Sequence, residues 1–236
     1  MGSKHPDTPS FITSCWHAVA LFFIRLIFSK LNRIEILGRE NIPGPEERSV
    51  MILSNHISAI DPFIIVSTAL SYFSKVPWKA PAKEELFRFP LLKQLLLTWG
   101  AFPVRRGKRD TEAMKKMVEM LNESLVVIYP EGTRSRDGNL LRGRSGVGKI
   151  IWEARPRKIV PVVVEGTEKI LAPGQIIPRV GKTCRIYYGK PVDLSGYYSE
   201  APTHGLTQEM TDEIIATFRQ MQKEIGFKYS GKSEKS

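Results

Sequence analysis

The sequence contains few cysteines and no cysteine-rich motif. Only Cys15 and Cys184 occur in 236 residues, and neither belongs to a CxxC or Cys/His cluster. This scarcity argues against a disulfide scaffold and a structural zinc site, and it fits a reducing cytosol. Internal repeats and long linkers are also absent, so one domain of moderate size is expected.

Acidic residues are scarce relative to basic ones. The chain carries 24 Asp and Glu against 35 Lys and Arg, which gives a formal net charge of +11. Such a balance favours polyanionic partners, either nucleic acid or an anionic membrane surface. Aromatic residues interleaved on a basic sheet face, which are typical of single-strand binding, are not evident. We therefore expect an anionic membrane surface and no nucleic acid.

A long apolar run is missing as well. Residues 11–28 are barely long enough to span a bilayer, and Arg25 would lie well inside it. No small-residue cleavage site follows, so a signal peptide is not indicated. Instead, residues 1–33 are predicted to form a helix that lies in the membrane interface or dips into it. A spanning helix and an ordinary buried first helix are the alternatives. The apolar face of the predicted helix comprises Ile12, Trp16, Val19, Phe23 and Leu26.

Strand-like and helix-like segments alternate along the rest of the chain. This alternation predicts an α/β fold, with a mixed, largely parallel sheet flanked by helices and preceded by the membrane-interface helix. Residues 34–226 are expected to form the main domain, and the Lys- and Ser-rich residues 227–236 a flexible basic tail. Strands are predicted at 34–37, 50–53, 101–104, 125–129, 159–164 and 184–188. Helices are predicted at 62–74, 84–98, 111–122, 147–154 and 207–225.

One histidine and one aspartate follow the apolar strand predicted at 50–53. His56 and Asp61 lie five residues apart in the segment NHISAID, and Asp61-Pro62 is typical of a helix start. A carboxylate that binds one ring nitrogen fixes the tautomer and leaves the other nitrogen as a base. A structural hydrogen bond is the ordinary alternative. No nucleophilic serine is obvious, so the attacking hydroxyl could belong to the substrate.

Two further turns carry groups that suit a phosphate. The segment YPEGTRS at 129–135 places Glu131 and Arg134 directly after a predicted strand, and a second turn at 104–109 is strongly basic. A guanidinium can bind a phosphate through two parallel hydrogen bonds. Both turns are predicted at the same edge of the sheet as His56, so a phosphate-bearing substrate is indicated.

These segments together resemble the glycerolipid acyltransferase family, the 1-acylglycerol-3-phosphate acyltransferases. NHISAID resembles the family's NHxxxxD block, and residues 100–106, GAFPVRR, resemble the second block. YPEGTRS is similar to the third block, usually written FPEGTRS, with Tyr129 in place of phenylalanine. The apolar strand with a central proline at 159–162 resembles the fourth. The resemblance covers residues from about 50 to 165, most of the domain.

The resemblance implies roles for individual residues. His56 would remove a proton from the acceptor hydroxyl, with Asp61 as its orienting partner. The family assigns the block-two arginine and residues of block three to the glycerophosphate acceptor. Asn55 is expected to shape the turn or the oxyanion environment, and Arg105 occupies a variable position. The substrate-binding residues so implied are Asn55, Arg105, Arg106, Glu131, Gly132, Thr133 and Arg134.

The resemblance also implies an activity. An acyl chain would pass from acyl-CoA or acyl carrier protein to the free hydroxyl of lysophosphatidate, giving phosphatidate in phospholipid biosynthesis, with no metal and no cofactor. The enzyme would be peripheral or monotopic, on the cytoplasmic face of a membrane. Another acceptor is the first alternative: glycerol-3-phosphate, another lysophospholipid or a lyso-aminolipid. A non-catalytic module that binds anionic lipid is the second.

Two other segments have competing interpretations. Gly143–Lys149 satisfies the spacing of a nucleotide-binding phosphate loop. Ile150 stands where Ser or Thr should bind magnesium and no strand precedes the segment, so a helix start is preferred. Residues 86–92 and 95–99 are candidates for an acyl-chain slot, with ordinary core packing as the alternative.

Overall fold

The computed structural model describes residues 30–69, 77–105, 111–172, 174–175 and 177–227, with isolated positions between 15 and 26. Within these residues, one sheet of seven strands has the order β1-β7-β6-β2-β5-β3-β4. Every neighbouring pair is parallel except β6 and β7, which confirms the mixed, largely parallel sheet. The strands are β1 (Arg33–Leu37), β2 (Val50–Ser54), β3 (Trp78–Lys83), β4 (Ala101–Val104), β5 (Leu125–Ile128), β6 (Lys158–Glu165) and β7 (Thr183–Tyr188).

Helices flank the sheet. They are α1 (Asp61–Ala69), α2 (Pro90–Thr98), α3 (Thr111–Leu121), α4 (Ser145–Ala154), α5 (Thr167–Ile170) and α6 (His204–Glu224), with short 3-10 helices at Arg39–Asn41, Glu84–Arg88 and Ser195–Ser199. The single helix predicted at 84–98 is therefore divided in two. Pro90 explains the division, because proline disfavours helical backbone at the preceding residue and suits the first position of a new helix.

The core lies on both faces of the sheet. In β2, Val50 and Ile52 pack in a cluster with α1, whereas Met51 and Leu53 pack on the other face. The second cluster includes apolar residues of α3, α4 and α6. All five residues of β2 and all four of β5 are buried. Burial on both faces explains why these strands are continuously apolar.

Strand β3 was not predicted from the sequence. Its residues, WKAPAK, include Lys79, Lys83 and Pro81, and none of these is typical of a buried strand. Pairing with β5 covers only Trp78 and Lys79, and the rest of β3 pairs with β4 alone. Pro81 therefore lies where one side of the strand has no ladder partner, and proline is tolerated there.

Strand directions bring distant segments to one edge of the sheet. Strands β2 to β6 are mutually parallel, so their carboxyl ends share an edge. Because β7 runs antiparallel to β6, and β1 runs with β7, the amino ends of β1 and β7 lie at that edge too. We call this the His56 edge, since His56 follows β2 there. Ligand sites in such sheets form beyond the strand ends.

Most of the predicted amino-terminal helix and nearly all of the predicted tail lie outside the described residues. The helix at 1–33 and the tail at 227–236 therefore stay predictions. Among the helices that are described, none combines the length and the apolar character needed to cross a bilayer.

Candidate active site

His56 and Asp61 form a buried pair on the loop that joins β2 to α1. We call residues 55–61 the His56 loop. The imidazole Nδ1 lies 2.9 Å from Asp61 Oδ2, and both side chains are almost fully buried. Since a carboxylate can only accept, Nδ1 carries the proton and Nε2 is the basic nitrogen. Among the described residues, none bonds Nε2.

The Asp61 carboxylate is fixed by more than the histidine. Helix α1 begins at Asp61, but its side chain turns back towards its own loop, where it accepts 2.8 Å hydrogen bonds from the backbone N–H groups of Ile57 and Ser58. Its second oxygen accepts a 2.5 Å bond from the hydroxyl of Thr167, at the start of α5. Donors on every side hold the carboxylate, and through it the imidazole, in one orientation.

Asn55 fastens the His56 loop to the neighbouring strand. Its side-chain nitrogen donates to the carbonyl of Val164 at 3.0 Å, and its side-chain oxygen accepts from the Val164 N–H at 2.8 Å. Both polar ends of the amide are thus engaged by β6 backbone. This geometry supports the expectation that Asn55 shapes the turn.

Glu131 connects a second loop to His56. We call residues 129–135, which follow β5, the Glu131 turn. One carboxylate oxygen accepts from the backbone N–H of His56 at 2.9 Å, and the other from the N–H of Leu141 at 3.0 Å. The His56 carbonyl in turn accepts from the N–H of Ser135 at 2.7 Å. Glu131 thereby positions the backbone of His56, and its predicted contact with the acceptor stays a prediction.

The environment of Glu131 changes its acidity. Burial, helped by the negative charge of Asp61, raises the pKa of the Glu131 carboxyl from 4.5 to about 7, although the two backbone donors act in the opposite direction. Only 2% of the residue is exposed. The carboxyl is therefore a group whose charge in the folded protein depends on pH near neutrality.

Tyr129 covers one face of the His56 imidazole. The two rings are stacked, with centroids 4.0 Å apart and planes inclined by 18°. The Tyr129 hydroxyl is buried and has no hydrogen-bond partner among the described residues. Burial, together with the charge of Asp61, raises the pKa of Tyr129 well above its ordinary value, so the phenol stays neutral.

The tip of the Glu131 turn is shaped by glycine and faces solvent. Gly132 has a φ of 70°, and a Cβ there would lie 2.7 Å from Arg144 Nε. Arg144 Nε also donates to the carbonyl of Glu131 at 3.2 Å, a brace that the sequence did not reveal. Thr133 and Arg134 are exposed beyond it. The turn thus presents a guanidinium at the His56 edge.

The second basic turn is described only in part. Arg106 lies outside the described residues, and Arg105 Nε donates to Glu84 at 3.0 Å. Strand β4 is three strands from β2, roughly 14 Å at ordinary strand spacing. Arg105 therefore lies at the same edge as His56 but does not adjoin it.

An open groove of about 660 Å³ lies next to Arg105. Phe87 and Leu97, from the two segments considered as an acyl-chain slot, contribute to its walls. Trp99, by contrast, is buried against Trp78 and Phe63, so it belongs to the core. The complete lining is Glu84, Glu85, Phe87, Arg88, Lys93, Leu97, Pro103 and Arg105.

Two of the three glycines in residues 143–149 allow close helix packing. A Cβ on Gly148 would lie 1.9 Å from the Thr207 carbonyl, and one on Gly143 would lie 2.4 Å from Thr211. The Gly148 N–H donates to the Thr211 hydroxyl at 3.0 Å. The segment begins helix α4 against α6, which agrees with the preferred interpretation. No group of side chains suited to a metal ion occurs in the described part of the chain.

The sequence of this chain is similar to those of known proteins. A family model described as Acyltransferase matches residues 33–165. The 1-acyl-sn-glycerol-3-phosphate acyltransferase of Borreliella burgdorferi is 30% identical over 186 residues, which are 78% of this chain and 70% of that protein. A chloroplastic 1-acyl-sn-glycerol-3-phosphate acyltransferase of Arabidopsis thaliana is 28% identical, over 70% of this chain but only 43% of its own length.

A solved structure shares the fold. The crystal structure of the 1-acyl-sn-glycerophosphate acyltransferase PlsC from Thermotoga maritima matches with a TM-score of 0.70, over 90% of this chain and 81% of that one. The two sequences are 23% identical. The match is therefore one of architecture: a mostly parallel seven-stranded sheet flanked by helices.

Proposed function

Because this chain belongs to the acyltransferase family and is an acyltransferase enzyme, we propose that its acceptor is lysophosphatidate and its product phosphatidate. The observation that carries the proposed transfer chemistry is the 2.9 Å hydrogen bond between His56 Nδ1 and Asp61, whereas the choice of acceptor rests on the relatives named 1-acyl-sn-glycerol-3-phosphate acyltransferase. The hydrogen bond leaves the basic nitrogen of a firmly oriented imidazole for a hydroxyl that the substrate supplies.

In the proposed reaction His56 acts as general base. As the acceptor hydroxyl attacks the thioester carbonyl, Nε2 takes its proton and a tetrahedral oxyanion forms. Collapse of this intermediate breaks the C–S bond, and the imidazolium returns the proton to the departing thiolate. Asp61 stabilises the imidazolium. Acid–base assistance of this kind accelerates a reaction by about 10²–10⁴-fold.

The proposed acceptor site is the tip of the Glu131 turn. Arg134 is exposed three residues beyond Glu131, and Ser135 beside it bonds the His56 carbonyl. A phosphate held by Arg134 would keep the attached glycerol close to the base. Arg106 remains the expected second phosphate ligand from the sequence resemblance. The donor would be acyl-CoA or an acyl carrier protein thioester.

We place the enzyme at a membrane surface, as a peripheral or monotopic protein on the cytoplasmic face. The net charge of +11 supports attraction to anionic lipids. Relatives named for acylation of a glycerophospholipid support a membrane-borne acceptor.

The test is an acyl-transfer assay with purified protein and labelled donor. Acceptors with a phosphate monoester, lysophosphatidate and glycerol-3-phosphate, are compared with lysophosphatidylcholine, which lacks one. Lysophosphatidate should give the highest kcat/KM, and thiol release should require an acceptor. Equal rates for all three acceptors would contradict the phosphate site, and thiol release without acceptor would indicate a thioesterase.

A further inference from the structure

We propose that residues 177–182 contact an anionic membrane surface directly, as a site separate from the predicted amino-terminal helix. We call this segment, IPRVGK, the basic loop. Ile177 and Val180 would enter the interfacial region of the lipid, and Arg179 and Lys182 would bind lipid phosphates.

The two apolar side chains of the basic loop are unusually exposed. Ile177 is 82% exposed and Val180 60%, and Ile177 is the most exposed large apolar residue in the described part of the chain. Single exposed apolar residues are ordinary, and it is their grouping on one surface that marks an interaction site. Two such residues on one short loop suit shallow insertion into lipid.

The basic loop is fastened at its carboxyl end. The Gly181 N–H donates to the Leu31 carbonyl at 2.7 Å, and the Lys182 N–H donates to Asn32 Oδ1 at 2.9 Å. The Lys182 carbonyl accepts from the N–H of Arg33 at 2.8 Å. These contacts join the loop to residues 31–33, at the end of the predicted membrane helix.

Charge identifies the occupant as anionic. Arg179 and Lys182 are exposed, and no ion pair is seen for either within the described residues. Lys30 adds a further exposed cation beside them, whereas the exposed Arg33 is paired with Glu35 at 3.1 Å. Apolar side chains flanked by Lys and Arg suit the interface of an anionic bilayer, where the apolar groups contact acyl chains and the cations contact lipid phosphates.

Apolar residues continue along the adjoining helix. Among its described positions, exposed side chains include Trp16, Val19, Phe22 and Leu26. A membrane can cover both the helix and the basic loop at once. A protein partner that covers only the loop is the competing occupant, and the test separates the two.

The basic loop lies at the His56 edge, and the segment that leads into it contacts the His56 loop. It connects the carboxyl end of β6 with the amino end of β7. The segment that leads into it starts at Thr167, which bonds Asp61, and continues through Leu171, whose carbonyl accepts a 2.7 Å bond from Ser58. This step rests on the proposed function: with the basic loop on the membrane, a membrane-borne acceptor would reach His56 from the same surface.

The test uses the full chain and vesicles of phosphatidylcholine with or without phosphatidylglycerol. The double variant Ile177→Ser/Val180→Ser should bind both kinds of vesicle about 10-fold more weakly, because two apolar groups no longer enter the lipid. Arg179→Ala/Lys182→Ala should lose about 10-fold on anionic vesicles and little on neutral ones. The control is Leu37→Ser, which changes an apolar residue that is 38% exposed at the opposite edge of the sheet.

Unchanged vesicle binding in both double variants would overturn the proposal and would leave a protein partner as the occupant. All four replaced side chains are exposed, so circular dichroism melting should be unaltered. Transfer to a short-chain lysophosphatidate that is monomeric in solution should also be unaltered. If the unmodified chain fails to acylate that soluble acceptor, the proposed function fails, whereas the vesicle measurement still decides the role of the loop.

Discussion

The His56 loop and the tip of the Glu131 turn lie at the same edge of the sheet but use their polar groups differently. In the His56 loop, Asn55 and Asp61 are buried and bonded to named donors and acceptors. At the tip, Thr133 and Arg134 are exposed and no hydrogen bond to another described residue is seen for either. The fold thus fixes the proposed base in advance, and it leaves Arg134, the proposed phosphate-binding residue, exposed to solvent.

Under the proposed function, this division separates the chemical step from recognition of the acceptor. A preorganised base contributes to the rate of transfer, because its orientation is set before substrate binds. An exposed arginine would contribute to acceptor binding, because its N–H donors can exchange water for the oxygens of a phosphate. Substitutions in the two regions should therefore change different kinetic constants.

Replacing the base should have the largest effect. His56→Ala should lower kcat by about 10²–10⁴-fold, because no group remains to take the hydroxyl proton. Binding of lysophosphatidate should be retained, since the Glu131 turn is intact. Steady-state kinetics and equilibrium binding of the acceptor measure the two quantities. Replacement of the exposed His204 with alanine is the control, and turnover close to wild type in His56→Ala would remove the pair from the mechanism.

Replacing the phosphate ligand should have a smaller and different effect. Arg134→Ala deletes a charge-assisted hydrogen bond of about 1.5–3 kcal/mol, so KM for the acceptor should rise about 10–100-fold with little change in kcat. Arg136→Ala removes the same charge from a neighbouring exposed position and should leave KM unchanged. Equal effects of the two variants would mean that net charge matters and that Arg134 holds no phosphate.

The fold was predictable where burial leaves a simple pattern. Strands β2, β5 and β6 are covered on both faces, so each appears in the sequence as a continuous apolar run that predicts a strand. Strand β3 carries Lys79, Pro81 and Lys83 because its pairing with β5 is short and only two of its residues are buried. No local pattern distinguishes such a strand from a loop.

The candidate site was predictable only where its residues are close in sequence. His56 and Asp61 are five residues apart, so a short loop brings them together. Thr167 is 106 residues from Asp61, and only the direction of β6 places it there. The sequence indicates Glu131 as a candidate site residue, but a carboxylate after a strand can bind either a ligand or backbone N–H groups. The choice depends on the positions of the His56 and Leu141 amides.

Glu131 belongs to the Glu131 turn and bonds the His56 loop, so its replacement should disturb both regions. Glu131→Gln supplies one acceptor for two backbone N–H groups, so one donor becomes unpaired and the free energy of unfolding should fall by about 1–3 kcal/mol at pH 8. The loss of kcat should exceed any change in acceptor KM, because the backbone of His56 shifts. Denaturant unfolding and kinetics measure both. Glu112→Gln, exposed on α3, is the control.

The Glu131 carboxyl should also affect how the stability of the protein depends on pH. Its pKa is raised from 4.5 to about 7 by folding, so between these values the folded protein holds a proton that the unfolded chain releases. The Glu131 contribution should therefore make stability fall as pH rises from about 4.5 to about 7 and stay constant above that. A plot of the free energy of unfolding against pH should therefore be flatter for Glu131→Gln than for the unmodified protein over this range. An identical slope in both proteins would contradict the raised pKa.

Two tyrosines whose hydroxyls are buried allow the comparison with the smallest expected effect. The Tyr188 hydroxyl bonds Thr68 at 2.7 Å and the Ile65 carbonyl at 3.1 Å, whereas the Tyr129 hydroxyl has no partner among the described residues. Tyr188→Phe should cost about 1 kcal/mol of unfolding free energy, and Tyr129→Phe should be neutral or stabilising, because it removes an unpaired buried group and keeps the ring on His56. Denaturant unfolding measures both. If Tyr129→Phe instead lowers kcat without loss of stability, its hydroxyl bonds the bound substrate, and recognition extends into the buried region that holds the base.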